Sequence, residues 1–169
     1  MRPIEALLSM QSRASLLIPA ADITATPMES PDSTSANSLP SSPQRLQRVL
    51  VMDDEISIRN VCEELLQLLK YEVETAADGT EALALFHQAE QRGTPFDLLI
   101  TDLTVPGGMG GVETMRRLRE SGSQVLAIAS SGYSNGPVMS NPAQYGFNGI
   151  LPKPYRLHDL EAVLQRVTL

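Results

Sequence analysis

An α/β fold, with five parallel strands in one doubly wound sheet and helices on both faces, is what this sequence predicts. Three observations carry the expectation. From Arg48 onward, short apolar runs alternate five times with segments of helical spacing. Two of the runs, RVLVM at 48–52 and FDLLIT at 96–101, are dense in large apolar side chains, as strands covered on both faces must be. No glycine-rich phosphate loop follows the first run, which separates the pattern from an ordinary dinucleotide-binding sheet.

The elements follow in order. RVLVM is short, apolar and β-branched, and reads as the first strand. Ile58, Val61, Cys62, Leu65, Leu66 and Leu69 recur three or four residues apart and mark one face of a helix. YEVETA (71–76) alternates and reads as the second strand. Leu83, Phe86 and Ala89 mark a second helix, ended by Gly93 and Pro95. FDLLIT is the third strand, and Val112, Met115 and Leu118 mark the third helix. QVLAIAS (124–130) is the fourth strand. A region punctuated by Gly136, Pro137 and Pro142 has room for a short fourth helix. GIL (149–151) is a brief fifth strand, and Leu157, Leu160, Val163, Leu164 and Val167 form the last helix.

Before Arg48 the composition differs. Residues 24–44, TATPMESPDSTSANSLPSSPQ, are dominated by proline, serine and threonine. Such a stretch buries too little apolar area to offset its ordering entropy, so disorder is expected. Residues 1–47 therefore read as an N-terminal extension and 48–169 as one domain. Arg2, Arg13, Arg45 and Arg48 balance Glu5, Asp22, Glu29 and Asp32, so the whole net charge of −7 falls on residues 49–169. A domain so acidic is a poor partner for nucleic acid. Arg116, Arg117 and Arg119 then read as a solvated helix face. No apolar run reaches the length of about 18 residues that a membrane span needs, and the first residues make a poor signal peptide. Cys62 is the single cysteine, which excludes an internal disulfide and suits a reducing cytoplasm, the expected location. On the helical face it reads as core packing. His87 and His158 read as surface residues.

In sheets of this kind, functional groups gather at the carboxyl ends of the strands. Here those ends carry Asp53-Asp54-Glu55, Asp102, Ser130-Ser131-Gly132 and Pro152-Lys153-Pro154. Carboxylates at that density repel one another unless a cation intervenes. Hard oxygen donors with open positions suit Mg²⁺. A carboxylate can also attack phosphorus and form an acyl phosphate. A lysine and a hydroxyl would then bind the phosphoryl oxygens.

VLVMDDE, DLLITDLTVPGGMGG, SSGYS and LPKPY together resemble the receiver domain of two-component response regulators, most closely the receivers attached to hybrid sensor histidine kinases. The resemblance covers roughly residues 48–167. It implies a flavodoxin-like receiver fold and a module that takes a phosphoryl group from a phosphohistidine partner, with Mg²⁺ as cofactor. Asp102 would be the phosphoacceptor. Asp53 and Asp54 would form the acidic pocket, Asp54 the more direct metal ligand, with the Thr104 backbone carbonyl completing the protein's share. Ser131 would be the hydroxyl that moves toward the phosphoryl group, and Lys153 would pair with Asp102 or its phosphate. The Lys153–Pro154 peptide would be cis. Partners would be a histidine kinase or a histidine phosphotransfer protein, and signalling would run through protein contacts. The chain would be no enzyme beyond its own phosphorylation and dephosphorylation.

Departures are specific. Many receivers carry an aromatic three positions before the lysine, where this chain has Ile150, so the coupled hydroxyl–aromatic switch is either absent or uses Tyr133, Phe147 or Tyr155 instead. The loop after Asp102, VPGGMGG, reads one residue longer than the commonest form. No output domain is expected after residue 169. SRASLLIPAAD faintly resembles the last strand of a kinase ATP-binding domain ahead of a receiver. A haloacid dehalogenase-like phosphotransferase or phosphatase is the alternative, but the position two after Asp102 is Thr104, which cannot act as a general acid. A pseudo-receiver without chemistry is a further alternative.

Overall fold

The structure is a computed structural model that describes residues 47–133 and 135–168. The expected disorder of the N-terminal extension falls on residues outside that range. Five strands, β1 (Arg48–Met52), β2 (Glu72–Ala76), β3 (Leu98–Asp102), β4 (Leu126–Ser131) and β5 (Gly149–Pro152), form one sheet in the order β2-β1-β3-β4-β5. All four pairings are parallel. The helices are α1 (Ile56–Leu68), α2 (Gly79–Gln91), α3 (Gly111–Glu120), α4 (Pro137–Ser140) and α5 (Leu157–Thr168).

The strand order reverses between β1 and β3, so the carboxyl ends of those strands stand side by side at the switch point. The apolar runs are buried because both faces are covered. Leu50, Met52, Leu99, Ala127 and Ala129 pack with Phe86, Met115 and Phe147 on one face. Val49, Val51, Leu98, Ile100, Ile128 and Leu151 pack with Cys62, Leu66, Leu160 and Leu164 on the other. β3 lies at the centre and is buried along its whole length.

Local chemistry fixes the element ends. Asp78 caps α2 by accepting from the Thr80 and Glu81 amides, at 2.7 and 3.0 Å. The Glu81 carboxylate reaches back to the Ala77 amide at 2.7 Å and closes the turn from the other side.

Three expectations need correction, and one is met. Strand β3 runs one residue further than the apolar pattern, so Asp102 is its last residue; β4 likewise includes Ser131. Hydrogen bonding continues past the point where the side chains turn polar. The fourth helix is short, as expected: a single turn, followed by a 3₁₀ turn at Pro142–Tyr145, because two prolines five residues apart leave no longer run of backbone donors. Val61 is 49% exposed, since the buried stripe of α1 is the narrower one through Cys62 and Leu66. Arg119 is not part of a solvated face. Its Nη1 donates to Ser123 O at 2.8 Å, and its Nη2 to Val125 O at 2.9 Å and Gly146 O at 2.8 Å. It ties the end of α3 to the chain entering β4 and to the turn before β5.

Candidate functional site

The site grows from the ends of β1, β3 and β5. The ladder between β1 and β2 extends one residue past β1, where the Asp53 amide donates to Ala76 O at 3.1 Å. Asp53 is thereby fixed at the strand tip and only 3% exposed. Its Oδ1 accepts from the Glu55 amide at 3.0 Å, and its carbonyl accepts from Arg59 Nη1 at 2.5 Å. Asp54, next along, is exposed. Asp102 closes β3, is 8% exposed, and accepts from the Thr104 amide at 3.1 Å through Oδ1. Past β5, the Lys153 amide donates to Ser131 O at 2.9 Å, which keeps the chain extended beside β4. The Lys153–Pro154 peptide is cis.

Lys153 Nζ donates to Asp53 Oδ2 at 2.5 Å and to Asp102 Oδ2 at 2.7 Å. Lys153 lies 100 residues from Asp53 and 51 from Asp102, so one cation joins two buried carboxylates only through the fold, since no local turn could bring β1, β3 and β5 together. Both ends of the Lys153–Asp53 pair titrate above their ordinary values, for different reasons. For Lys153, burial pulls the ammonium down, but hydrogen bonds to Asp102 and Asp53 outweigh it and hold the proton. For Asp53, burial pushes the carboxyl up more than the lysine pulls it down.

One carboxylate oxygen from each of Asp53, Asp54 and Asp102 lies within 4.8 Å of the others. Three hard oxygen donors so close, one of them exposed, fit a Mg²⁺ that keeps several waters. The loop after Asp102 answers for its glycines. Gly107 has φ +74°, a conformation that side chains disfavour. A Cβ on Gly111 would stand 2.6 Å from Asp102 O and 2.8 Å from Thr101 Oγ1, so only glycine lets α3 begin against the strand tip.

The structure thus brings Asp53, Asp54, Asp102 and Lys153 together and places the Thr104 backbone beside Asp102. Ser131 is buried at the end of β4, but its Oγ accepts from the Tyr133 amide at 3.0 Å, and no hydrogen bond joins it to Asp102 among the described residues. Of the three aromatics considered in place of Ile150, Tyr133 is 76% exposed, Phe147 is buried in the core, and Tyr155 is partly buried against the core cluster that holds Cys62 and Leu160. Burial raises the Tyr155 hydroxyl well above its ordinary value, and the Cys62 thiol next to it adds to the shift. Sequence reasoning missed Arg59, and it placed Ser130 at the strand end without giving it a role. The first sits six residues past Asp53, within reach of the strand tip from the first turn of α1. The second shares a register position with Asp102.

Comparison with known proteins agrees with this geometry. A family model described as the response regulator receiver domain matches residues 49–165. Among curated relatives, the chain is 31% identical over 119 residues to transcription factor SKN7 of Chaetomium thermophilum, covering 70% of this chain and 15% of that protein. It is 33% identical over 120 residues to sensor kinase CckA of Brucella abortus, covering 70% and 12%. The chain therefore spans a small part of the length of these two relatives. Among solved structures, chemotaxis protein CheY4 of Vibrio cholerae superposes with a TM-score of 0.63 at 35% identity, covering 72% of this chain and 98% of that one. The response regulator TrrA of Thermotoga maritima, solved in complex with Mg(2+)-BeF, superposes with a TM-score of 0.61 at 29% identity, over 72% and 98%. The chain belongs to the response regulator receiver domain family, whose members are signalling modules and not classical enzymes. The phosphotransferase alternative is not favoured.

Proposed function

We propose that this receiver domain, residues 48–169, accepts a phosphoryl group on Asp102 from the phosphohistidine of a histidine kinase or phosphotransfer protein. The observation that carries the reading is the Lys153 ammonium held between Asp53 and Asp102 at 2.5 and 2.7 Å. An ammonium in that place compensates a buried carboxylate before reaction and phosphoryl charge after it.

Asp53, Asp54, Asp102 and the Thr104 backbone carbonyl would hold Mg²⁺. When bound, the ion offsets the repulsion between the carboxylates and the phosphoryl oxygens. The chain's own residues do the rest. A carboxylate oxygen of Asp102 attacks phosphorus as the P–N bond to the donor imidazole breaks, and the electron pair leaves on the imidazole nitrogen. Lys153 stays protonated and turns its N–H groups toward the phosphoryl oxygens. Ser131 gives up its contact with the Tyr133 amide and donates to another of them. The signal then passes through contacts with other proteins, as the net charge of −7 suits. A cytoplasmic location fits this role.

The test is incubation of the purified chain with acetyl phosphate, with and without Mg²⁺. An acid-stable, base-labile adduct that requires Mg²⁺ and disappears in Asp102→Asn supports the reading. Equal labelling of Asp102→Asn refutes it.

A further inference from the structure

We propose that Ser130 is a positioning residue for Lys153, and through it for a phosphoryl group on Asp102. The proposal rests on the phosphoacceptor reading, but it starts from a separate observation. Ser130 is 2% exposed, and its Oγ is buried with no hydrogen-bond partner among the described residues. A buried hydroxyl left unpaired is destabilising, and an alanine in its place would avoid the cost. Such a group calls for a use.

Its place in the sheet supplies one. Ser130 pairs in register with Asp102 on β3 and with Leu151 on β5. Alternation along β4 puts its side chain with Ile128, on the face that Leu151 shares and that α1 and α5 cover. The pairing of Met52 with Thr101, carried on by one residue, brings Asp53 opposite Asp102. One rung of the sheet therefore reads Asp53, Asp102, Ser130, Leu151. Lys153 follows Leu151 by two residues, rises from the same face, and folds its Nζ back over that rung.

An ammonium has three N–H groups. Asp53 and Asp102 take two, and no third acceptor is present among the described residues. Ser131 has the opposite parity, and its hydroxyl is already engaged by the Tyr133 amide. The two adjacent serines thus divide the work. Ser131 serves the phosphoryl group itself, and Ser130 serves the lysine. When Asp102 carries a phosphoryl group, Lys153 leaves Asp53 for the new oxygens. The Ser130 hydroxyl then accepts the third N–H, directly or through one buried water, and holds the ammonium on the Asp102 side.

The experiment compares the full chain with Ser130→Ala and Ser130→Thr. Circular dichroism checks that each folds. Acetyl phosphate with Mg²⁺ gives the time course of labelling. NMR of the ¹⁵N-lysine side chains, with beryllium fluoride as the phosphoryl mimic, follows the Lys153 ammonium. The expected result is labelling of Ser130→Ala slowed about tenfold, the size of one hydrogen bond to a charged group. The Lys153 ammonium signal should also shift and exchange faster with water, and Ser130→Thr should restore both. A Ser130→Ala variant that melts higher, labels at the wild-type rate and leaves the Lys153 signal in place overturns the proposal, because a merely structural hydroxyl does that. Absence of labelling in the wild type would instead sink the phosphoacceptor reading on which the proposal depends.

Discussion

Two groups of ion pairs in this chain have nearly equal bond lengths and very different surroundings. At the strand ends, Lys153 Nζ meets Asp53 and Asp102 at 2.5 and 2.7 Å. On α3, Glu113 meets Arg116 Nη2 at 2.7 Å and Arg117 Nε at 2.8 Å, and Arg116 also pairs with Glu120. The Lys153 and Asp53 side chains are 16% and 4% exposed, whereas those of Arg116 and Glu113 are 53% and 39% exposed. Water and salt screen the second group, so it contributes little. The first has lost much of its hydration and depends on the pairing to recover it. Distance alone does not rank ion pairs; burial decides. The titration shifts show the same divide. Glu113 is drawn down to about 2 by hydrogen bonds from Arg116 and Arg117, but an exposed carboxylate is ionised at neutral pH without that help.

The contrast breaks first at Lys153. Lys153→Ala leaves two buried carboxylates facing each other. It should cost about 2 kcal/mol of stability without Mg²⁺, read by chemical denaturation, and slow acetyl phosphate labelling by at least about tenfold. Added Mg²⁺ should restore part of the stability, since a cation returns between the acids. Loss of stability that Mg²⁺ does not touch would place the lysine's role elsewhere. Asp54→Ala comes next. It removes the exposed acid of the cluster, so Mg²⁺ affinity by titration calorimetry should fall at least about tenfold while the metal-free protein melts at the same or a higher temperature.

A smaller effect divides α3 within itself. Arg119→Ala strips donors from three carbonyls and should cost about 1 to 3 kcal/mol. Glu113→Gln, on the exposed side of the same helix, should leave both the melting temperature and labelling unchanged. An equal effect of the two would mean that the exposed network matters more than its screening allows.

The smallest effect is at Cys62. Burial pushes its thiol from the ordinary 9.0 up to about 11. A raised value in the fold means that the folded state holds the proton more tightly than the unfolded chain. The neutral thiol's contribution is therefore complete below pH 9.0 and is lost as pH rises from 9.0 to about 11. Denaturation midpoints of the wild type should fall across that window more steeply than those of Cys62→Ala. Parallel slopes would show that the thiol is not protected.

Much of this was legible in the residues. RVLVM and FDLLIT announced central strands because burial on both faces demands unbroken apolar runs, and β1 begins and ends where its run does. That Asp53, Asp54, Asp102 and Lys153 meet was legible because the carboxyl ends of parallel strands lie together at one edge. Less legible was anything set by three-dimensional register. Ser130 and Ser131 are neighbours in sequence, yet pairing with Asp102 and the alternation of β4 send them to opposite faces. Arg119 looks like Arg116 and Arg117 in a charge pattern, and only the fold brings it the carbonyls of Ser123, Val125 and Gly146.

The central claim is that Asp102 receives the phosphoryl group while Lys153 neutralises it, and the adduct's position tests that most directly. After labelling with acetyl phosphate and Mg²⁺, borohydride reduction converts an aspartyl phosphate to homoserine, and peptide mass spectrometry locates the change. The account predicts homoserine at position 102 and at no other aspartate, with Asp53 and Asp54 intact. Homoserine at position 53 or 54, or none at all in protein that binds Mg²⁺, would contradict it.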